Sequence, residues 1–511
     1  MDLPNEILLS IFALLERKGL KSSNLVSKIW RECASTILFD QIYVSSVKED
    51  LEVFEAIAEH PLLSRCVRHI KYDATEFLQP LTKRQYITEL RDEGPLIHCD
   101  EDRSPWRTDD HEVNDWVNSR ILGNMNAAEL SARFQDSQLI KRGYQSYREH
   151  ATFQQAELKS GRFPRRLTRG LRKFKHLEEV TLEGSWKYVP GFNQLSGAGE
   201  RCTGSYTARH WNRFYCKPRG WRWGNVLRYW NEDPELWKIS PDGTQSYKII
   251  TTALVQAQCH ILSFTVGSNN GCLCPGLPPT AFDLSGLTAR QKKKASSVGV
   301  TAFANLEKFV LLRLASYSEH GAEGGRTPEK FYNIEGLPLI LASMNRLKHL
   351  ELHLSTDISE TPSYYSEVQA LPRDKIWPHL ESLTLTNLSI TASGLLHLLL
   401  YRTPNILHLE IGGISLLEGS WQAFFEALSQ SQHLASFKFE PDTYLVHHDG
   451  KEFWTDDYES IPYKDLEEYV IHGGRHPCLL DHEPDSAAHE WLQEFDPTMR
   501  NRIVRSGMLD L

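Results

Sequence analysis

The sequence has no apolar run long enough to span a bilayer. Its longest apolar stretches, such as LLHLLLY at Leu395–Tyr401, fall far short of the roughly 20 residues a membrane helix needs. It has no disulfide framework in its spacing either. Nine cysteines, an odd number, are scattered over 511 residues, which favours free thiols in a reducing compartment. No Walker A loop, G-x-G-x-x-G, G-x-S-x-G or EF-hand loop occurs, so the common nucleotide, hydrolase and calcium chemistries have no sequence basis. Zinc has little basis. Cys272 and Cys274 form C-x-C, with Cys259 and His260 upstream, but structural zinc sites use pairs spaced C-x₂₋₄-C with a second pair behind them. The segments HHDG at His447–Gly450 and HEPDSAAHE at His482–Glu490 miss the H-E-x-x-H spacing. No catalytic constellation, metal or cofactor is expected. An excess of positive charge is missing too: the net charge is −9, which argues against a general nucleic-acid binder.

What is present begins at once, in MDLPNEILLSIFALLERKGL. Asp2 and Glu6 have the wrong sign for an export signal, and the apolar residues are spaced rather than continuous. Leu3, Ile7, Leu8, Ile11, Phe12 and Leu15 mark one stripe of a helix. Pro4 and Glu6 suit its first turn, and Lys18-Gly19 is the expected stop. A second helix is expected from Leu25, Val26, Ile29, Trp30, Cys33 and Ile37, with Lys28, Arg31 and Glu32 outside.

L-P-x-E-I-L-x-x-I-F-x-x-L at Leu3–Leu15, followed by L-V-S-K-x-W-R at Leu25–Arg31, resembles the F-box. The next residues, ASTILFD at Ala34–Asp40, resemble the ending common in fungal F-box proteins. Ser27 stands where many F-boxes have cysteine. The resemblance covers about residues 1–45. It implies a partner, the Skp-type adaptor of an SCF ubiquitin ligase and through it a cullin. It also implies that Leu3, Pro4, Ile7, Leu8, Ile11, Phe12, Leu15, Leu25, Val26 and Trp30 form the F-box core and its adaptor-facing side, undivided at this stage. Physics agrees that such a unit needs a support. About 40 residues without metal or disulfide rarely bury enough surface to stand alone.

Beyond it, one short pattern recurs: apolar, two others, apolar, one other, apolar. It reads LEEVTL (Leu177–Leu182), LEKFVL (Leu306–Leu311), LKHLEL (Leu347–Leu352), LESLTL (Leu380–Leu385), ILHLEI (Ile406–Ile411) and LASFKF (Leu434–Phe439). VRHIKY (Val67–Tyr72) and ILSFTV (Ile261–Val266) are weaker copies. Helical segments precede most of them, so the unit is helix, turn, strand. This resembles a degenerate leucine-rich repeat. The last starts, Leu380, Ile406 and Leu434, are 26 and 28 residues apart, inside the usual period of roughly 20–29. Earlier starts are wider apart, so insertions are expected. The competing expectation is an ordinary α/β domain with a parallel sheet.

The expected organisation is therefore α/β: F-box helices at 1–45, an irregular leucine-rich-repeat solenoid at 46–441, and a cap or tail at 442–511. The solenoid carries insertions at about 73–170 and 185–243. The first insertion is polar, with helices expected around Asn126–Glu157. The second holds six of the thirteen tryptophans and includes RHWNRFYCKPRGWRWG at Arg209–Gly224. That stretch suits an anchored loop, a partner surface or single-stranded nucleic acid. From Pro441 onward there are 16 acidic and 6 basic residues, so the rest of the chain is about neutral. Lys292-Lys293-Lys294 reads as a basic run in a linker.

Alternate residues of the regular strands would line an exposed face and contact a protein target: His349, Glu351, His353, Ser382, Thr384, Thr386, His408, Glu410 and Lys438. His349 and His408 share a repeat slot with Ser382 between them, which puts their Cα atoms nearly 10 Å apart, wide for one shared metal. The functional expectation is a non-catalytic substrate-recognition subunit of an SCF-type ligase, cytoplasmic, nuclear or both, without membrane contact. The alternative is an F-box and repeat scaffold that binds partners without promoting ubiquitination.

Overall fold

The computed structural model describes residues 3–74, 137–183, 244–267, 288–312, 334–354, 370–419, 421–431, 434–440 and 463–473, with a few shorter pieces between them. The insertion at 185–243, residues 100–110 of the first insertion, Cys272, Cys274 and both histidine-rich C-terminal segments lie outside the described residues. The chain forms two units, Met1–Met344 and Asn345–Leu511.

The first unit opens with three helices, α1 (Asn5–Ala13), α2 (Arg17–Ser23) and α3 (Lys28–Leu38). The Pro4 carbonyl starts α1 by accepting the amides of Ile7 and Leu8, both at 3.1 Å. Two sequence expectations are corrected here. Lys18-Gly19 does not stop a helix, because α2 runs through both residues. A Cβ at Gly19 would sit 3.5 Å from the Leu15 side chain, an ordinary contact, so nothing at this position calls for a chain break. The second predicted helix also starts later than Leu25. Leu25 and Val26 form a turn, with their amides on the carbonyls of Ser22 and Ser23. Ser27 is the N-cap of α3, its Oγ accepting the Trp30 amide at 3.2 Å. The serine that departs from the usual F-box cysteine thus satisfies a helix end. Ser27→Ala is expected to lower stability by about 1 kcal/mol, and Ser27→Asp to restore most of it, by denaturant titration.

The strands β1 (Gln41–Ser45), β2 (His69–Asp73), β3 (Glu179–Glu183), β4 (Ser263–Val266) and β5 (Lys308–Leu311) follow in the first unit, parallel and in chain order. Between them run α4 (Lys48–Glu59), α5 (Leu63–Cys66), α6 (Ser137–Lys159), α7 (Arg162–Leu171), α8 (Thr244–Ala257) and α9 (Ala289–Phe303), and α10 (Gly336–Ser343) comes after β5. Lys292-Lys293-Lys294 therefore lies in α9, not in a linker, and Lys292 Nζ pairs with Glu335 at 2.8 Å. Register builds the core in rows. Ile42, Ile70, Val180, Phe264 and Phe309 stand side by side, and Val44, Tyr72, Leu182, Val266 and Leu311 form the next row. None of the ten is more than 2% exposed.

α7 approaches α4 so closely that a Cβ at Gly170 would overlap the ring of Phe54, itself fully buried against Phe174. Gly170→Ala is expected to cost roughly 1–3 kcal/mol by overpacking, read as a lower denaturation midpoint.

The second unit holds β6 (His349–His353), β7 (Tyr365–Ser366), β8 (Ser382–Thr386), β9 (Leu388–Ile390), α11 (Ala392–His397), β10 (His408–Gly412) and β11 (Ser415–Leu416). It ends with α12 (Trp421–Ser431), β12 (Ser436–Glu440), β13 (Tyr444–Val446), β14 (Glu452–Trp454) and α13 (Tyr463–His472). β6, β8, β10 and β12 are parallel and in chain order; β11, β9 and β7 form a small second sheet. The DLEEYVI segment of the acidic region is helical in α13. This helix lies against β12 and α12 and buries Leu466, Tyr469 and Val470.

All eight copies of the sequence pattern are strands, and their backbone bonds repeat. The carbonyl of the pattern's second residue accepts two successive amides from the start of the next strand. Arg68, Glu178 and Leu262 do so in the first unit, and Lys348, Glu381 and Leu407 in the second; Asp40, the residue just before β1, makes the same pair of bonds, all at 2.7–3.1 Å. The residue directly after three of the strands has a left-handed backbone: Gly267, Asn387 and Gly413, at φ 96°, 59° and 51°. Glycine and asparagine are the residues that adopt it most readily.

Candidate functional site

Burial divides the opening helices, which the sequence could not do. Leu8, Phe12, Leu20, Cys33, Ala34 and Leu38 form a small core, with Leu9, Trp30, Ile37 and Phe39 packed against it. The Phe12 and Trp30 rings meet edge to face, centroids 5.2 Å apart. Leu3, Pro4, Ile7, Ile11, Leu15, Leu25 and Val26 remain at the surface. Of the ten F-box residues singled out by sequence, then, Leu8, Phe12 and Trp30 hold the unit together and the other seven face outward.

Two more residues face outward, Leu14 and Ile29. Leu14 lies just beyond the end of α1, off its apolar stripe, and in the sequence Ile29 shows only as part of the spacing of the second helix. Among the described residues, fifteen large hydrophobic side chains are exposed, and eight of these fall between Leu3 and Ile29. Leu14 is 87% exposed and Leu25 83%. Scattered apolar residues are normal on a surface, but such a density within one short segment marks an interaction site.

No linker separates these helices from the first sheet. β1 begins two residues after Phe39, the C-cap of α3. The Asp40 carbonyl accepts the amides of Arg68 and His69, both at 2.9 Å. α5 packs against α3, and its Cys66 thiol donates to the Leu62 carbonyl at 3.3 Å; burial pushes this thiol up, and the nearby Thr36 side chain opposes that. Cys33 is pushed up by burial and by Glu32 and Glu6. Both thiols are buried and free. They are packing residues, because nucleophilic thiols need the opposite shift.

The polar face of the second unit's sheet is the other expected site. Register aligns His349 with Ser382, His408 and Ser436, and two residues on it aligns Glu351 with Thr384, Glu410 and Lys438. Ser382 thus stands between the two histidines. His353 aligns with Thr386. Glu351 lies between the two histidines of its own strand, with His353 Nε2 at 2.8 Å and His349 Nε2 at 3.4 Å. Burial raises its pKa, but the two histidine bonds and charges outweigh this and hold it down at about 2. Thr386 Oγ1 lies 3.3 Å from His353 Nδ1. The ionised Glu351 carboxylate can only accept, so His353 donates to it through Nε2–H. His408 Nδ1 and Ser436 Oγ are 2.8 Å apart, and Lys438 stands 4.0 Å from Glu410. Thr384 corrects an expectation: it is buried, at 6% exposure, and offers nothing to a target. The remaining eight form a polar strip, within which hydrogen bonds join His349, Glu351, His353 and Thr386. Among the described residues no group of three or more His, Cys, Asp or Glu is placed to hold a metal, and no helix is long and apolar enough to cross a membrane.

A family model described as F-box-like matches residues 1–45, which supports an F-box protein. The matched segment contains all eight exposed apolar residues of the opening helices and ends with β1. No curated protein matches the chain. F-box domains generally bind Skp-type adaptors, and F-box proteins are typically non-catalytic substrate adaptors.

Proposed function

We propose that this chain is the substrate-recognition subunit of an SCF-type ubiquitin ligase, working in the cytoplasm, the nucleus or both. The observation that carries the reading is the apolar surface of Leu3–Ile29 lying inside the F-box-like segment. Leu3, Ile7, Ile11, Leu14, Leu15, Leu25, Val26 and Ile29 dock a Skp-type adaptor, which links the chain to a cullin. The helix–strand units form an irregular leucine-rich-repeat solenoid. The recurrent carbonyl at the second pattern position and the chain-order pairing of the strands support this, since an ordinary doubly wound sheet reverses its strand order at a switch point. Residues 46–441 are the target-holding part and 442–511 its acidic cap. The strip from His349 to Lys438, without Thr384, contacts the target.

The mechanism is proximity. One surface holds the ligase and another the target, which raises the local concentration of target lysines near the charged ubiquitin carrier. The chain itself forms no covalent intermediate. The test is a reconstituted ligase assay on proteins that co-purify with the full chain. Ubiquitin transfer that requires residues 1–39 is the expected result. Transfer that survives their deletion contradicts the receptor role, and an intact adaptor complex without transfer supports the scaffold alternative.

A further inference from the structure

We infer that the exposed arginine stripe of α7 is a docking ridge for an acidic helical segment of a partner protein. α7 and the two residues after it carry Arg162, Arg165, Arg166, Arg169, Arg172 and Lys173 and no acidic residue. Phe163, Leu167, Gly170 and Leu171 are buried, which turns Arg162, Arg165, Arg169 and Arg172 outward at steps of three and four residues. These steps are about 4.5–6 Å along the axis, so the stripe is about 15 Å long.

The helix already grips carboxylates of its own chain. Arg166 holds Glu55 with Nε at 2.8 Å and Nη2 at 2.6 Å, and Arg169 adds a third bond at 2.6 Å. Arg162 pairs with Glu157 at 3.2 Å. Arg165 and Arg172 are different. Among the described residues their guanidinium groups bond backbone carbonyls, Ser160 at 3.1 Å and Gln256 at 3.1 and 3.3 Å. A carbonyl leaves most of the positive charge uncompensated while it fixes the side chain, so less entropy is lost when a carboxylate arrives.

The charge pattern selects the ligand. α4, beside the ridge, carries Glu52 and Glu59 exposed on the same stripe as Glu55. On that side the positive strip ends at α4, so a broad polyanion meets repulsion at that edge. A helix with carboxylates at i, i+3, i+7 and i+10 repeats the ridge's own spacing. Same-side residues of an extended peptide recur about every 6.7 Å and drift out of step.

The test uses the full chain and a fluorescent Ala-rich helical peptide with Glu at those four spacings. Its controls are a scrambled peptide of the same composition, oligouridylate and phosphatidylserine vesicles. The striped peptide is expected to bind best, with affinity falling as salt rises. Arg165→Gln/Arg172→Gln is expected to weaken it roughly tenfold, since both charge contacts of the two arginines are lost. Lys173→Glu, at an exposed position, is expected to weaken it several-fold even if the double variant folds poorly. Adaptor capture should stay unchanged in both. The inference is overturned if the scrambled peptide, oligouridylate or the vesicles bind as well as the striped peptide, if the striped peptide does not bind, or if Lys173→Glu leaves its affinity intact.

Discussion

Ile11→Asp combined with Val26→Asp is expected to weaken capture of a Skp-type adaptor by at least about 100-fold and to leave the chain's stability nearly unchanged. Both side chains are exposed, at 42% and 61%, and surface substitutions usually shift stability by no more than about 0.5 kcal/mol. In a complex the new carboxylates would be buried against apolar surface with no partner. That costs several kcal/mol for the pair, and about 2.7 kcal/mol already gives the 100-fold loss. Titration of the adaptor against wild type and variant, beside a denaturant curve for each, reads both quantities. Equal adaptor affinity would show that the exposed residues are not the docking face.

One position along the helix the effect should invert. Phe12 is 1% exposed and packs on Trp30 within a core of few residues. Phe12→Ala is expected to destabilise the opening helices by roughly 3–5 kcal/mol, because the lost burial adds to a cavity that so small a core cannot refill. Backbone amide exchange in α1 and α3 should accelerate by orders of magnitude, while β3 and β4 keep most of their protection. Adaptor binding should fall as well, but through unfolding, and a saturating adaptor should restore part of the protection. Ile11 and Phe12 are neighbours in sequence, and the contrast between them separates docking from folding.

Much of this was legible in the residues. The stripe from Leu3 to Leu15 is a helix because apolar spacing of three and four is a direct geometric signal. The pattern at Leu347, Leu380, Ile406 and Leu434 gives strands for the same reason at period two. FDQIYV, Phe39–Val44, has the same spacing and forms β1, but it lies at the tail of the F-box motif, which masks the strand in the sequence. The F-box and the sheet share them. Leu25 and Val26 looked helical because periodicity does not register a cap. Only the Ser27 hydroxyl on the Trp30 amide fixes where α3 begins. Thr384 looked exposed because alternation gives the direction of a side chain, not what its neighbours cover. The sequence does not single out the arginines of α7, for another reason. A charge run usually means a solvated face, and only the pairing of Arg166 and Arg169 with Glu55, 111 and 114 residues away, distinguishes the occupied charges from Arg165 and Arg172.

The most direct test of the adaptor-docking face is calorimetric titration of the purified full chain with a purified Skp-type adaptor at several temperatures. The expected result is a one-to-one complex whose binding heat capacity is clearly negative, the mark of apolar surface leaving water. No complex, or one with a heat-capacity change near zero, would contradict the assignment of Leu3–Ile29 as the docking face.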